Sequence, residues 1–287
     1  MTSIYGSLHY DRHIPDLIIV GITYSGVDPD YESLRASDFT PTATAQISNS
    51  GGAATFVKVL EQEIMPAVEK NYRTNKKDHA IAGTSFAGLF PTYVLFNAPH
   101  LFNGYIINNP SLWYDNEKTF EYESDFAKNH DTLDVNLYMV SGGLDDVTRF
   151  NKMVTQIRSR NYKKLNFDSH IAEGMGHSGS KFEAYAKGMQ FLYKRRGIKL
   201  SDDMLKDYVG DYEVAPGQNF HLNAKDGHLV IEPFMGQPET PVYALGDDQF
   251  STRGHDITSR FVRDTNGKVT AVKVEMSEDN IIEYKKL

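Results

Sequence analysis

Cysteine is absent from this sequence of 287 residues. Its absence excludes disulfide frameworks, thiolate nucleophiles and cysteine-bound zinc, although it leaves the cellular compartment open. Long hydrophobic runs are lacking too, since no apolar segment reaches the roughly 18–20 residues that cross a bilayer. The opening segment, MTSIYGSLHYDRH, lacks the basic stretch and apolar core of a signal peptide. We therefore expect a soluble globular protein, cytoplasmic as the chain stands and periplasmic or secreted if an upstream segment is missing.

Basic residues are in deficit: 30 lysines and arginines face 38 aspartates and glutamates, which gives a formal charge of −8 and a pI near 5.7. A nucleic-acid binder would need a basic surface to meet the phosphates, so this class of protein is not expected. With 40% hydrophobic and 24% charged residues, the chain has enough apolar material for a sizeable core and does not have the composition of a disordered protein. Its length suits one large domain or two smaller ones.

The first two thirds of the chain alternate short apolar runs with segments of helical periodicity. Apolar runs of about 4–6 residues are typical of parallel strands buried on both faces, and here they cover residues 17–22, 80–83, 105–108, 137–141 and 169–172. Apolar residues at every fourth position from Phe56 to Val68 predict a helix before the second run. Two further helices are predicted over residues 147–158 and 180–193. We therefore predict an α/β fold, a mostly parallel sheet with helices on both faces.

After residue 197 the helical periodicity fades, and signals for short strands and tight turns take its place. Asp226-Gly227 and Asn266-Gly267 favour the left-handed backbone that hairpin turns require. The charge changes as well: residues 201–287 hold 9 basic and 16 acidic side chains, whereas residues 1–200 hold 21 and 22. We predict two domains, an α/β domain over residues 1–198 and a small all-β, barrel-like domain over residues 203–287.

The segment most indicative of chemistry is GTSFAG, residues 83–88, between a predicted strand and a long apolar helix. A serine at a sharp strand-to-helix turn projects its hydroxyl above the sheet, and small neighbours allow the tight backbone. The helix start also directs N–H groups at developing negative charge. A serine in such a pattern can instead be a simple helix cap. The flanking strand and helix favour Ser85 as a nucleophile, with the Phe86 N–H as an oxyanion donor.

An orienting acid and a histidine base should follow the serine, each on a loop after a strand. Residues 142–146, GGLDD, follow the run 137–141, and residues 173–178, EGMGHS, follow the run 169–172. This order points to Asp145 as the acid and His177 as the base. Asp146 stays open as an alternative acid, and either aspartate can serve as a helix cap. His177 can likewise be an ordinary loop histidine.

Two further residues are candidates for substrate binding, each with a structural alternative. Arg35, in LRASDFTPT, could contact substrate or brace its loop by pairing with Asp38. Trp113, the only tryptophan, follows a strand end in NNPSLWYDN, where it could line an acyl or aryl pocket or simply pack. Neither pattern decides between the two interpretations.

Together these segments resemble the esterase family of α/β-hydrolases over about residues 14–193. The resemblance is carried by IPDLIIVGITY, RASDFTPT (with Ser37 where a second arginine is common), GTSFAG, NNPSLWYDN, GGLDD and GMGHS. It implies a serine hydrolase of carboxylic esters that works through an acyl-enzyme with Ser85, His177, Asp145 and the Phe86 N–H, and that needs no cofactor or metal. The combination is most similar to the enterobactin-esterase-like branch, so siderophore-type esters are expected, with aryl or carbohydrate esters as alternatives. The tail resembles the lipocalin-like β-domain appended to some serine hydrolases.

The sequence departs from the family pattern at its start. In this fold the second oxyanion donor comes from the loop after strand three, upstream of the segment that residues 17–22 resemble. Only about 15 residues precede that segment, so strands one to three and the donor loop are expected to be absent, and loss of one donor typically costs about 100- to 1000-fold in turnover. Three outcomes stay open: a longer chain, partner exchange in a homodimer through an exposed strand edge, or a hydrolase-like binding module. Acyl transfer to an alcohol would use the same residues as hydrolysis.

Overall fold

The computed structural model describes residues 1–11, 14–194, 198–252, 257–277 and 280–287. Contacts divide the chain into two units, one of Met1–Ile4 with Leu17–Leu192 and another of Tyr5–Asp16 with Tyr193–Leu287. Within the described ranges, no helix is both long enough and apolar enough to cross a membrane. The predicted domain limits, 1–198 and 203–287, stay a proposal. Residues 195–197, just before the end of the first predicted domain, lie outside the described ranges.

The first unit is built on a sheet of four parallel strands in the order β1-β2-β3-β4. The two central strands are almost wholly buried, which explains why they are continuous apolar runs in the sequence. Four of the five predicted runs fall within these strands. The strands are β1 (Ala80–Thr84), β2 (Gly104–Asn108), β3 (Asn136–Gly142) and β4 (Asn166–Ala172).

Helices cover both faces of this sheet, as predicted. Leu137 and Met139 on β3 belong to the large apolar cluster on one face, whereas Tyr138 and Val140 pack with Ala184 on the other, because successive strand residues point in opposite directions. The helices of the first unit, in chain order, are α2 (Tyr31–Phe39), α3 (Ala53–Val59), α4 (Met65–Asn71), α5 (Phe86–Asn97), α6 (Tyr114–Asn129), α7 (Thr148–Arg160) and α8 (Ser180–Tyr193). A further helix, α1 (Thr2–Tyr10), belongs mostly to the second unit.

The helix predicted from apolar residues at every fourth position after Phe56 contains an irregular turn. A π-helical turn, Leu60–Ile64, joins α3 to α4. Residues four apart drift around an α-helix of 3.6 residues per turn, whereas a π turn is wider and brings them back toward one face. The π turn therefore reconciles the strict spacing of four with a single apolar face.

The strand predicted over residues 17–22 is not formed, and this prediction was wrong. Ile18, Val20 and Ile22 are each about half exposed, at 47%, 48% and 49%. The described residues supply no neighbouring strand for this segment, and β1 is an edge of the sheet. An apolar run becomes a strand only where a neighbour takes up its backbone hydrogen bonds, and the run itself carries no information about that neighbour.

The second unit contains a closed antiparallel barrel of eight strands in the order β10-β11-β12-β5-β6-β7-β8-β9. Closure leaves no free edge, and a barrel of this size is filled by its own side chains. Tyr212, Phe220, Phe250 and Phe261 are buried in its apolar cluster. The elements are α9 (Asp202–Leu205), β5 (Gly210–Ala215), β6 (Gln218–Lys225), β7 (His228–Ile231), β8 (Thr240–Gly246), β9 (Gln249–Thr252), β10 (Ile257–Arg263), β11 (Val269–Ser277) and β12 (Asn280–Lys286).

Both predicted hairpin signals lie between adjacent barrel strands. Asp226 and Gly227 have φ of 53° and 81° and form the two-residue turn between β6 and β7, as expected for a turn with two left-handed residues. Gly267, with φ of 81°, lies in the longer loop between β10 and β11. The turn chemistry therefore located the hairpins correctly.

A buried carboxylate joins α6 to α7, the two helices beside the loops at the carboxyl ends of the strands. Glu123 has no exposed side-chain surface. It accepts hydrogen bonds from the Arg160 guanidinium at 3.0 and 2.8 Å, from the Tyr162 hydroxyl at 2.8 Å and from the Gln156 amide. Burial alone would raise the pKa of Glu123, but these donors outweigh it and hold the pKa below the ordinary 4.5.

We predict that Glu123→Gln destabilises the first unit by about 2–3 kcal/mol at pH 7, because it leaves the Arg160 charge without its partner. Since the folded pKa of Glu123 lies below 4.5, its contribution is fully present above that pH and is lost as the pH falls through the folded value. Urea denaturation followed by the helical circular dichroism signal, at pH 7 and near pH 4, measures both effects.

Asp125→Asn is the matched control for this prediction. Asp125 lies on the same helix and pairs with Lys128, but its side chain is 67% exposed. Exposed ion pairs contribute little to stability, so the control should unfold near the wild-type urea concentration. Equal destabilisation by the two variants would contradict the buried network as its source.

Candidate active site

Ser85 lies between β1 and α5 in a backbone conformation that L-residues rarely adopt, with φ of 65° and ψ of −124°. The turn is possible because its neighbours are small. A Cβ on Gly83 would lie 1.5 Å from the Ala87 carbonyl oxygen, and one on Gly88 would lie 2.7 Å from the Asn108 carbonyl oxygen. The Ser85 N–H donates to that same Asn108 oxygen at 3.2 Å. The elbow predicted from GTSFAG is thus a strained turn held against β2.

Ser85 is half-buried at the N-terminus of α5. Its Oγ lies 3.5 Å from the Oγ of Ser111, which is itself buried. Phe86 is the first residue of α5, so its N–H has no acceptor within the helix and forms part of the positive end of the helix dipole. A negative charge forming beside Ser85 would therefore meet a backbone donor.

Asp145 and His177 are brought together by two loops that pack against each other. The His177 Nδ1 lies 3.0 Å from the Asp145 carboxylate. The Gly143 N–H donates to the Ala172 carbonyl at 2.9 Å, and the Leu144 N–H donates to the Met175 carbonyl at 3.0 Å. These backbone bonds join the acid loop to the histidine loop and bring the two side chains within hydrogen-bond distance.

The neighbouring aspartate makes different contacts. Asp146 accepts from the Thr148 N–H at 2.9 Å and from the Arg149 guanidinium at 3.2 Å, so it faces the start of α7. Hydrogen bonds from Thr148, and then the positive charge of Arg149, hold the pKa of Asp146 below its usual range. The two adjacent carboxylates, which the sequence could not separate, thus face a histidine and a helix start respectively.

A cavity of about 200 Å³ opens at the carboxyl ends of the strands, where ligands bind in parallel sheets. His177, Asp145, Ser111 and Trp113 all line it. Ser85 does not itself line this cavity, but its Oγ lies 3.5 Å from the Oγ of Ser111, which does. A larger open cleft of about 590 Å³, which His79, His100 and other residues line, lies at the amino ends of the strands. The smaller cavity is therefore the candidate site, since it holds the predicted polar groups.

A left-handed turn that we did not predict from the sequence lies next to the aromatic residues of the site. Three consecutive residues after Tyr114 are left-handed, namely Asp115, Asn116 and Glu117, with φ of 45°, 53° and 67°. The Thr42 hydroxyl donates to Asp115 at 2.6 Å, and the Arg149 Nε donates to Glu117 at 2.9 Å. Aspartate and asparagine tolerate this conformation, which is a weak signal when met in a sequence.

This left-handed turn begins two residues after Trp113. The Trp113 ring is 52% exposed, and its centroid lies 5.9 Å from that of Phe86. Arg35 lies elsewhere, on α2, where it and Asp38 act on Tyr24; burial first, and then Asp38, raise the pKa of the Tyr24 hydroxyl, while Arg35 opposes them. The structure therefore brings Trp113, but not Arg35, to the cavity.

A strained serine at a strand-to-helix turn, above a parallel sheet with helices on both faces, defines an α/β-hydrolase-like fold. The family model described as "Putative esterase" matches residues 1–188. The chain belongs to this family.

Three known proteins illustrate the similarity. The ferri-bacillibactin esterase BesA of Bacillus subtilis is 32% identical over 142 residues, covering 45% of this chain and 48% of that protein. The crystal structure of the BES protein from Bacillus cereus superposes with a TM-score of 0.60 at 25% identity, covering 67% of this chain and 76% of the other. An IroE-like serine hydrolase from Shewanella oneidensis has a TM-score of 0.51 at 22% identity, covering 55% and 56%, and shares the fold. The chain spans about half the length of the curated relative.

We predict that Ser85→Gly is more stable than Ser85→Ala by about 1–2 kcal/mol, because only glycine adopts the backbone of this turn without strain. Urea denaturation of the two variants gives the difference in free energy of unfolding. The matched pair is Glu121→Gly and Glu121→Ala, at an exposed position within α6, where glycine should be less stable than alanine by about 1 kcal/mol. The same sign at both positions would contradict the strain at Ser85.

Proposed function

We propose that the chain is a serine hydrolase of carboxylic esters. The observation that carries the proposal is the 3.0 Å contact of His177 with Asp145, on loops at the same edge of the sheet as the Ser85 turn. Family membership over residues 1–188 supports the reaction class. The proposal uses only side-chain and backbone groups of this chain.

The proposed mechanism follows from which nitrogen of His177 is occupied. When Nδ1–H donates to Asp145, Nε2 carries the free lone pair and can take the proton of the Ser85 hydroxyl. Ser85 Oγ then attacks the ester carbonyl, and the Phe86 N–H donates to the oxyanion. His177 returns the proton to the departing alcohol, leaving an acyl-enzyme on Ser85. Water, deprotonated by His177, releases the acid and restores the serine.

The hydrogen bonding of the Ser85 hydroxyl is that of an enzyme without bound substrate. The Ser85 hydroxyl has Ser111 as its neighbour at 3.5 Å, at the limit of a hydrogen bond. Catalytic hydrogen bonds are often long in free enzymes and tighten when substrate binds. We infer that the Ser85–His177 bond forms in this way, because His177 lines the same cavity as Ser111, the neighbour of Ser85.

The proposed substrate class is a siderophore-type ester, with an aryl ester as the wider class. A ferri-bacillibactin esterase is among the relatives, and it supports this choice by its name. Trp113, whose ring contacts that of Phe86, offers the cavity an aromatic surface on which an aryl group could pack. Transfer of the acyl group to an alcohol would use the same serine, so products formed with competing acceptors distinguish it from hydrolysis.

One observation favours a second candidate, a binding module with a hydrolase-like fold. Among the described strands β1 is an edge, so no adjacent strand of the described sheet carries a loop with a second N–H beside Ser85.

The open edge of β1 also favours pairing with a second copy of the chain. We propose a homodimer, which native mass spectrometry would report at twice 32.4 kDa.

We predict that a fluorophosphonate probe adds once to the wild-type chain and not to Ser85→Ala, because only an activated serine attacks phosphorus. Intact mass spectrometry of the folded proteins gives the answer. Ser159→Ala, which removes an exposed serine on α7, should leave the adduct in place. A folded wild type without an adduct would favour the binding module, and an adduct that survives Ser85→Ala would contradict the assignment of the nucleophile.

We predict different effects for the two neighbouring aspartates. Asp145→Asn should lower kcat for an aryl ester by about 10³- to 10⁴-fold, because the amide favours the wrong tautomer of His177. Asp146→Asn keeps a side-chain oxygen that can accept from the Thr148 N–H, and asparagine serves as well as aspartate at a helix start, so its kcat should stay within about 3-fold of wild type and its thermal midpoint should stay close to the wild-type value. The reverse ranking of the two kcat values would make Asp146 the acid.

A further inference from the structure

We propose that Asn109 is a positioning residue that holds the acid loop and the histidine loop together; this inference rests on the proposed function of His177 and Asp145. Asn109 follows β2 directly and is only 6% exposed. Asn109 lines the candidate cavity, but its side-chain hydrogen bonds go neither to the Ser85 hydroxyl nor to the side chains of Asp145 and His177. Its action would pass through the backbone of the loops that carry the proposed acid and base.

The backbone of Asn109 is fixed in an uncommon conformation. Its φ is 41°, in the left-handed region, and its N–H donates to the Val140 carbonyl at 2.8 Å. Among residues with a polar side chain, asparagine is one of the few that adopt this conformation readily. The turn directs the side chain away from β2 and toward the ends of the next two strands.

The carboxamide of Asn109 then makes four hydrogen bonds. Its Oδ1 accepts from the Gly142 N–H at 2.8 Å and from the Ser141 hydroxyl at 3.1 Å. Its Nδ2 donates to the His177 carbonyl at 2.9 Å and to the Ser180 hydroxyl at 2.7 Å. Both protons of the amide and both lone pairs of its oxygen are therefore used.

These four partners lie within or at the ends of the two loops that carry the proposed acid and base. Gly142 begins the acid loop, and its carbonyl accepts from the Asp145 N–H at 3.1 Å. The His177 carbonyl is on the residue that carries the imidazole, and Ser180 begins α8. One amide thus fixes the start of the acid loop through its acceptor and the histidine backbone through its donor.

The chemistry of the contacts restricts the residue. An aspartate at position 109 would keep the acceptor but would turn a carboxylate toward the His177 carbonyl, which has no proton to offer. A glycine would keep the left-handed backbone and lose all four side-chain bonds. A merely structural asparagine would lower stability when replaced but would leave the His177–Asp145 hydrogen bond intact.

The test uses Asn109→Asp and Asn109→Gly in the full chain, with two measurements. The first is the low-field proton resonance of the His177 Nδ1–H, identified by its loss in His177→Gln. The second is the reaction of Ser85 with the fluorophosphonate probe, separated into a maximal rate and an affinity. We expect both variants to lose the resonance and to react about 10- to 100-fold more slowly at saturating probe, with an unchanged affinity, since small misplacements cost rates of this order.

Glu123→Gln is the matched control, because Glu123 is also a buried polar side chain with several hydrogen bonds but none to either loop. The control should keep the resonance and the rate. Asn109 variants that fold and behave like the control would overturn the proposal.

The two measurements also separate this proposal from the hydrolase itself. If the wild type forms no adduct, the proposed hydrolase function is contradicted. The proton resonance of His177 then tests the positioning role of Asn109 by itself. Its loss in Asn109→Gly would support the positioning role of Asn109, and its persistence would overturn it. Glycine tolerates the backbone at this position, so this variant is expected to fold.

Discussion

The backbone turn at Ser85 is the constraint on which the candidate site depends. Its φ of 65° and ψ of −124° require Gly83 and Gly88 as neighbours, because any Cβ there would collide with backbone carbonyl oxygens. The turn also needs β2 beside it, since the Ser85 N–H donates to Asn108. Strain of this kind persists only where the surroundings over-determine it, and here a buried parallel sheet supplies those surroundings.

The strands and helices that frame the site could be predicted because their signals are local. Apolar runs in the sequence predicted β1 to β4. The order of a serine, an acidic loop and a histidine loop predicted which loops carry the candidate site. Local signals failed for residues 17–22, because a strand depends on a neighbour that its own sequence does not specify. They also failed for the Asn109 network, whose partners lie 32 to 71 positions away in the chain.

Three carboxylates in the first unit differ in the group that each one faces. Asp145 faces an imidazole, Asp146 a helix start, and Glu123 a buried guanidinium. Each has opposite charge or N–H donors within reach, and the hydrogen bonds decide where it sits. A sequence places such groups on a loop or a helix, but which donor each one meets is set by the packing of separate elements, and the structure is needed to assign them.

The position of Trp113 has a practical consequence. It is the only tryptophan in the chain, its ring is half exposed, and it lines the candidate cavity. Because the barrel contains no tryptophan, indole fluorescence of the intact protein comes from a single ring beside the site. Its emission wavelength and quenching would therefore report occupancy of that cavity directly, without a label.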